Sequence, residues 1–157
     1  MPEDNIVLTK IWEDGFEAFY EIAVECYTPT VHVVSRTYVS NESTDALIQG
    51  LNALIAGTCD SFQWSDNGVG DSLVSFSFSR VNNRGDIAIE TVVRNMEAPD
   101  VRGHYECRFC VCTELQPLCE FTRRLPGLQR SNNIGYQVYL VEGCTPDVSP
   151  AIALLEG

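Results

Sequence analysis

The most regular hydrophobic pattern in this chain lies near its N-terminus. Across residues 16–26 every even position is apolar, while the odd positions include Glu17, Glu21 and Glu25. A period of two over this length predicts a strand with one buried face. The spacing of the glutamates also fits an amphipathic helix, but like charges four apart weaken a helix, and β-branched residues follow directly. We therefore predict two strands here, separated at residues 28–30, where Pro29 interrupts the pattern.

Two later segments have the period of an amphipathic helix. In residues 44–56 apolar side chains recur three and four positions apart, with Ser43 as the expected N-cap and Gly57 as the expected end. A second helix is predicted over residues 116–125, because its leucines and phenylalanine share one face and Pro126 follows.

Further alternating segments predict strands around these helices. They cover residues 61–65, 72–80, 87–93, 104–113 and 135–142. Because short turn segments join the middle three, we expect an antiparallel meander. The order of elements predicts an α+β fold, a curved and mainly antiparallel β-sheet with two helices packed on it. The 157 residues fit one domain, with a core over about 6–128 and a strand-like extension over 131–157.

Charge narrows the class of function. The chain has 22 acidic and 10 basic residues, a formal net charge of −12, and Lys10 is its single lysine. Net charge influences association rather than fold. The acidic excess argues against direct binding to nucleic acid or to an anionic membrane, and it favours a basic protein partner. No apolar run approaches the length of a membrane span, and the N-terminus lacks the basic start of a signal peptide, so we expect a cytosolic protein.

We expect the cysteines to be structural residues. They are Cys26, Cys59, Cys107, Cys110, Cys112, Cys119 and Cys144. In a reducing cytosol we expect them to be reduced and mostly buried. His104 and the three cysteines over residues 107–112 would be the best metal site, but on a strand Cys107 and Cys110 face opposite sides. We therefore expect no metal and no cofactor.

No catalytic signature is present. A cysteine nucleophile needs a base, and the two histidines, His32 and His104, both lie in strand-like segments. Residues 66–71 lack the bidentate glutamate of a calcium loop and any phosphate-binding GK[ST] motif. A small hydrolase or ligand-binding domain, with a pocket between sheet and helices, stays open as an alternative. So does an accessory subunit of a larger assembly.

The candidate partner-binding residues are Glu17, Phe19, Glu21 and Glu25. An aromatic side chain among charges has the composition of an interface anchor. The alternative is that the glutamates form the solvated face of an edge strand, where charge prevents aggregation.

The order of elements resembles that of the WapI-like immunity group of small bacterial α+β proteins. The resemblance lies in the helix DALIQGLNALIAG, the strands FSFSR, GDIAIETVV and ECRFCVCTEL, and the helix LQPLCEFTRRLPGL. It spans about residues 6–128 and consists of hydrophobic patterns, so it carries over no binding residues. It implies a cytosolic immunity protein that neutralises a polymorphic toxin. From the charge we expect such a protein to occlude a basic active site, with acidic residues raising the association rate. The segment after Arg130 departs from the family pattern.

Overall fold

A computed structural model describes residues 4–14, 19–66, 73–95 and 105–141. Within these ranges the elements are β1 (Asn5–Asp14), β2 (Phe19–Tyr27), β3 (His32–Ser40), α1 (Asn41–Ala56), β4 (Ser61–Ser65), β5 (Leu73–Arg80), β6 (Asp86–Asn95), β7 (Tyr105–Glu114), α2 (Leu115–Arg124), a 3₁₀ turn (Leu125–Gln129) and β8 (Gln137–Val141). Of the predicted segments, most of the 66–71 turn, His104 and residues 142–157 lie outside the described ranges.

The strands form two antiparallel sheets of four. The first has the order β3-β2-β1-β8 and the second the order β4-β5-β6-β7. Each helix connects an edge strand of one sheet to an edge strand of the other, α1 from β3 to β4 and α2 from β7 to β8. The predicted α+β fold is confirmed. The sequence predicts one curved sheet, but the strands form two. Each helical connection carries the chain from one sheet to the other.

The main hydrophobic core lies between the inner faces of the sheets and the two helices, and a smaller buried cluster of Val7 and Tyr27, with Tyr139 against it, lies on the other face of the first sheet. The alternation predicted for β2 is confirmed, since its even-numbered side chains are buried. The two helices pack against each other and contribute their apolar faces to this core. The buried residues of β2, α1 and α2 in the core are Tyr20, Ile22, Val24, Cys26, Leu47, Leu51, Leu54, Leu118 and Phe121.

Helix α1 begins three residues earlier than predicted, and its N-cap is Ser40 rather than Ser43. The Ser43 N–H donates to Ser40 Oγ at 3.1 Å, and the Ser40 N–H donates to Ser43 Oγ at 2.9 Å. This reciprocal capping box satisfies two backbone donors, which is why the earlier serine is the cap. The predicted end is confirmed, because Gly57 has a φ of 81°. Arg80 donates to the Leu54 carbonyl at 2.5 Å at the same end of the helix.

The C-terminal strand belongs to the first sheet. Strand β8 pairs antiparallel with β1, from Asn5 opposite Val141 to Thr9 opposite Gln137. The strand predicted in this segment is therefore confirmed. The predicted hairpin turn between β5 and β6 is confirmed as well, with Gly85 at a φ of 96°. No helix in the described ranges is long and apolar enough to cross a membrane.

Candidate functional site

The first sheet has an outer face that points away from the main core. It is formed by the odd-numbered residues of β2 and the residues that pair with them on β1 and β3. Phe19, Glu21 and Glu25 all point to this outer face, because their even-numbered neighbours are buried in the core. Strand β2 lies between β1 and β3. The alternative interpretation places these glutamates on an edge strand. That placement is wrong, because β2 is an interior strand of the sheet.

Three aromatic side chains form a cluster at one end of the outer face. Phe19 and Tyr38 are stacked, with ring centroids 5.4 Å apart and an interplanar angle of 4°. Trp12 stands nearly perpendicular to both, at 6.4 Å from Phe19 and 6.3 Å from Tyr38. Such offset and edge-to-face contacts are the favoured arrangements of aromatic pairs. Trp12 is 44% exposed, so the cluster presents a large apolar surface outside the core.

Glu21 lies in the middle of this cluster. It pairs with Trp12 on β1 and with Tyr38 on β3, so the three residues form one row across the sheet. Neighbouring strands are roughly 4.8 Å apart, which puts β1 and β3 about 10 Å apart. Because the rings of Trp12 and Tyr38 are only 6.3 Å apart, they lean toward each other across β2. Within the described residues, the Glu21 carboxylate has no hydrogen-bond or ion-pair partner.

A β-bulge in β1 brings Trp12 to the outer face. Lys10 pairs with Ile22, but Trp12 pairs with Glu21, so Ile11 is an extra residue in the ladder. Without the bulge, Trp12 would share the inward parity of Lys10. The extra residue therefore moves the indole from the core side to the outer face.

The four predicted binding residues lie in different environments. Glu17 lies outside the described residues. Phe19 is half-buried against Tyr38 rather than freely exposed, and Glu21 is half-buried beside it. Glu25 is less accessible than a solvated face would make it: it is only 8% exposed and accepts a hydrogen bond from the Tyr27 hydroxyl at 2.5 Å. Burial, with the bond to Glu25, raises the pKa of Tyr27, which therefore stays a donor to that carboxylate.

Trp12, Tyr38 and Arg36 were not predicted. Arg36 is exposed on the outer face next to Tyr38, opposite Ala23. Tyr38 could have been found by pairing the two predicted strands across Pro29, since the hairpin register puts it opposite Glu21. Trp12 could not, because an alternation pattern gives no sign of the extra residue at Ile11.

The expectation that the cysteines are mostly buried is wrong for the described residues. Cys26 is buried and Cys59 and Cys107 are half-buried, whereas Cys110, Cys112 and Cys119 are exposed. The reason is that Cys110 and Cys112 lie on the outward-facing side of β7, where alternation leaves them in solvent. Burial raises the pKa of the Cys26 thiol to about 12, with smaller contributions from nearby Cys107 and Glu25.

These environments predict selective thiol labelling. At pH 8 the native protein is expected to react with iodoacetamide at Cys110 and Cys119, while Cys26 reacts on the order of a hundredfold more slowly, because it is both buried and un-ionised. Mass spectrometry of the labelled peptides measures the ratio, and the protein unfolded in urea is the control. Equal labelling of Cys26 and Cys110 in the native protein would contradict this arrangement.

The candidate metal segment has the predicted geometry. Cys107 faces inward opposite Val93 and Cys110 faces outward opposite Glu90, so the two sulfurs lie on opposite sides of β7. Among the residues described, no group of three or more histidine, cysteine, aspartate or glutamate side chains is placed to hold a metal ion.

An open groove of about 600 Å³ lies along β4, β5 and β6 of the second sheet. Most of its lining comes from the outward side of that sheet, so it differs from the pocket between sheet and helices that the hydrolase alternative requires. Its polar lining residues are Ser61, Gln63, Ser77, Ser79, Glu90 and Cys110. The described lining contains no histidine, so the Cys110 thiol has no imidazole base there.

No family model matches this chain, and neither a curated protein nor a solved structure matches it.

Proposed function

We propose that this chain is a non-enzymatic protein-binding module of the immunity-protein or antitoxin type, which captures a basic partner on the outer face of the first sheet. The observation that carries the proposal is the cluster of Trp12, Phe19 and Tyr38 around Glu21. An aromatic patch outside the core, edged by polar groups, is typical of interaction sites.

The cluster has the properties of an interface anchor. Tryptophan and tyrosine are enriched among the residues that dominate binding energies, because they bury a large area with few rotatable bonds. Phe19 and Tyr38 are already stacked, and Trp12 is packed against both, so little side-chain freedom is left to lose on binding. Strands β1 and β2 each pair with two neighbouring strands, and β3 pairs with β2. Backbone hydrogen bonds of the sheet therefore hold the three aromatic residues in place.

Charge supports a basic partner. A net charge of −12 attracts cations over the range of the Debye length, roughly 8–10 Å at physiological salt, and accelerates encounter. Toxins that act on nucleic acids have positive clefts, and an acidic surface with an aromatic centre is complementary to such a cleft. The mechanism would be steric occlusion of that cleft in the cytosol, where an immunity protein meets a delivered toxin.

Charge variants test this proposal, with the product of the gene immediately upstream in the genome as the partner. Glu21→Lys is expected to slow association severalfold and to weaken its salt dependence, because it reverses the charge at the centre of the face. Arg36→Glu should accelerate association by a similar factor, since Arg36 is an exposed cation on that face. Stopped-flow association rates at two salt concentrations measure both effects.

Glu90→Lys is the matched control. It makes the same change in net charge at another strand position, which is exposed and lies on the outward side of the second sheet. A rate reduced equally by Glu90→Lys and Glu21→Lys would show that net charge acts without this face. If the upstream product arrests growth and co-expression of this chain does not relieve the arrest, the immunity function is excluded for that pair.

A further inference from the structure

The row Trp12–Glu21–Tyr38 has a more specific chemistry than an acidic patch. Glu21 is half-buried and pairs with both Trp12 and Tyr38, whose rings contact each other, and Phe19 lies two residues away on the same face of β2. Within the described residues Glu21 accepts no hydrogen bond, in contrast to Glu25, which is bonded to Tyr27. A carboxylate left unpaired among aromatic rings is suited to a ligand that is both cationic and able to contact ring surfaces.

The protein already binds a cation of its own with the same groups. The Lys10 ammonium lies 4.9 Å from the centroid of the Tyr20 ring and 3.2 Å from Glu13 Oε2. A carboxylate and an aromatic ring on adjacent strands therefore hold a cation on the inner side of this sheet. The outer face carries a carboxylate and three rings, and no cation of the described chain lies over those rings.

We propose that the ligand of this site is an arginine side chain of the partner, an inference that rests on the proposed protein-binding function. The guanidinium group is planar and weakly hydrated, so it can stack on an aromatic ring while its N–H groups donate to a carboxylate. A lysine ammonium can donate to a carboxylate and lie over a ring, as Lys10 does, but it is compact and strongly hydrated and has no planar surface to stack on a ring. The arginine side chain would lie against Trp12 and Tyr38 with its guanidinium on Glu21.

Three short peptides test the ligand chemistry. They share one glycine- and serine-based sequence, are acetylated and amidated, and differ at one position only, which is arginine, lysine or citrulline. Citrulline keeps the shape of arginine without its charge. In ¹H–¹⁵N spectra, the arginine peptide is expected to shift the Trp12 indole resonance and the β1–β3 amides around Glu21. The lysine peptide should bind several times more weakly, and the citrulline peptide should cause no saturable shift.

Variants locate the site. Glu21→Gln is expected to weaken the arginine peptide about fivefold, and Trp12→Leu by a similar factor, which corresponds to one cation–π or charge-assisted contact each. Glu90→Gln on the second sheet is the matched control and should leave the affinity unchanged. The same spectra report whether each variant is folded, and Trp12→Leu assigns the two tryptophan indole signals.

Every result decides the question. No saturable shift with the arginine peptide, equal affinities for arginine and lysine, or an equal effect of Glu90→Gln would each overturn the arginine site. A different result would overturn the proposed function alone. In that case the rate of association with the upstream gene product is unchanged by Glu21→Lys, while the arginine peptide still binds. If the partner binds this face but the peptides show no arginine preference, the proposed function stands and the arginine site does not.

Discussion

Replacing Lys10 with methionine is expected to destabilise the fold by about 3 kcal/mol, because removing one partner of a buried ion pair leaves the others unsatisfied. The Lys10 ammonium is almost completely buried and donates to three acceptors: the Arg130 carbonyl at 2.7 Å, Asn133 Oδ1 at 2.9 Å and Glu13 Oε2 at 3.2 Å. All three of its protons are therefore used. The Glu13 side chain is 20% exposed, so water can replace the hydrogen bond that it loses. The expected destabilisation is therefore at the low end of the range for buried pairs.

Lys10 also fixes how the chain enters β8. Its amide donates to the Tyr136 carbonyl at 3.0 Å, and its carbonyl accepts from the Gly135 amide at 2.8 Å. We expect Lys10→Met to lower the hydrogen-exchange protection of the Gly135 amide together with global stability, because the side-chain and backbone contacts hold the same segment.

Urea unfolding of the variant measures the predicted loss. The control is Arg130→Ala, because Arg130 takes part through its backbone carbonyl while its side chain is exposed, and it should change stability by less than about 0.5 kcal/mol. A Lys10→Met protein as stable as the wild type would show that the buried ammonium is not needed to hold this segment.

Local hydrophobic periods explain what could be predicted of the fold. The alternation in β2 and the apolar stripe of α1 each reflect one element packing one face on the core, and both were found from spacing alone. The division into two sheets was not found. Strands β3 and β4 follow each other in the chain, but α1 lies between them and they belong to different sheets. Strands β1 and β8 are far apart in the chain, but they pair with each other. An alternating pattern identifies a buried face without identifying the pairing partner.

The candidate site was predicted only in part for the same physical reason. Phe19 and Glu21 were found because they lie on the polar side of a strongly alternating strand. Glu25 has the same parity, but it is only 8% exposed and accepts a hydrogen bond from Tyr27 on the same face of β2, and alternation alone does not show this burial. Trp12 was missed because one extra residue at Ile11 reverses its parity. The residues that complete the cluster therefore depend on a bulge and on pairing register, and both are set by tertiary structure.

The aromatic cluster is expected to dominate the stability of the complex with a basic partner. Trp12→Ala or Phe19→Ala should each cost on the order of 2 kcal/mol of binding free energy, equivalent to about 30-fold, and most of this should appear as faster dissociation. Folding should survive both changes, because the rings lie outside the core and an aromatic pair contributes only about 0.5–1.5 kcal/mol beyond its buried area. Thermal unfolding of each variant checks that point.

The dissociation rate of the Trp12→Ala complex with the upstream gene product is the most direct test of the outer face as the binding surface. Val81→Ala is the matched control, since Val81 is 62% exposed and directly follows β5 of the second sheet. We predict that Trp12→Ala dissociates about 30-fold faster than the wild type while Val81→Ala dissociates at the wild-type rate. Equal dissociation rates for the wild type and a folded Trp12→Ala would contradict a binding site on this face.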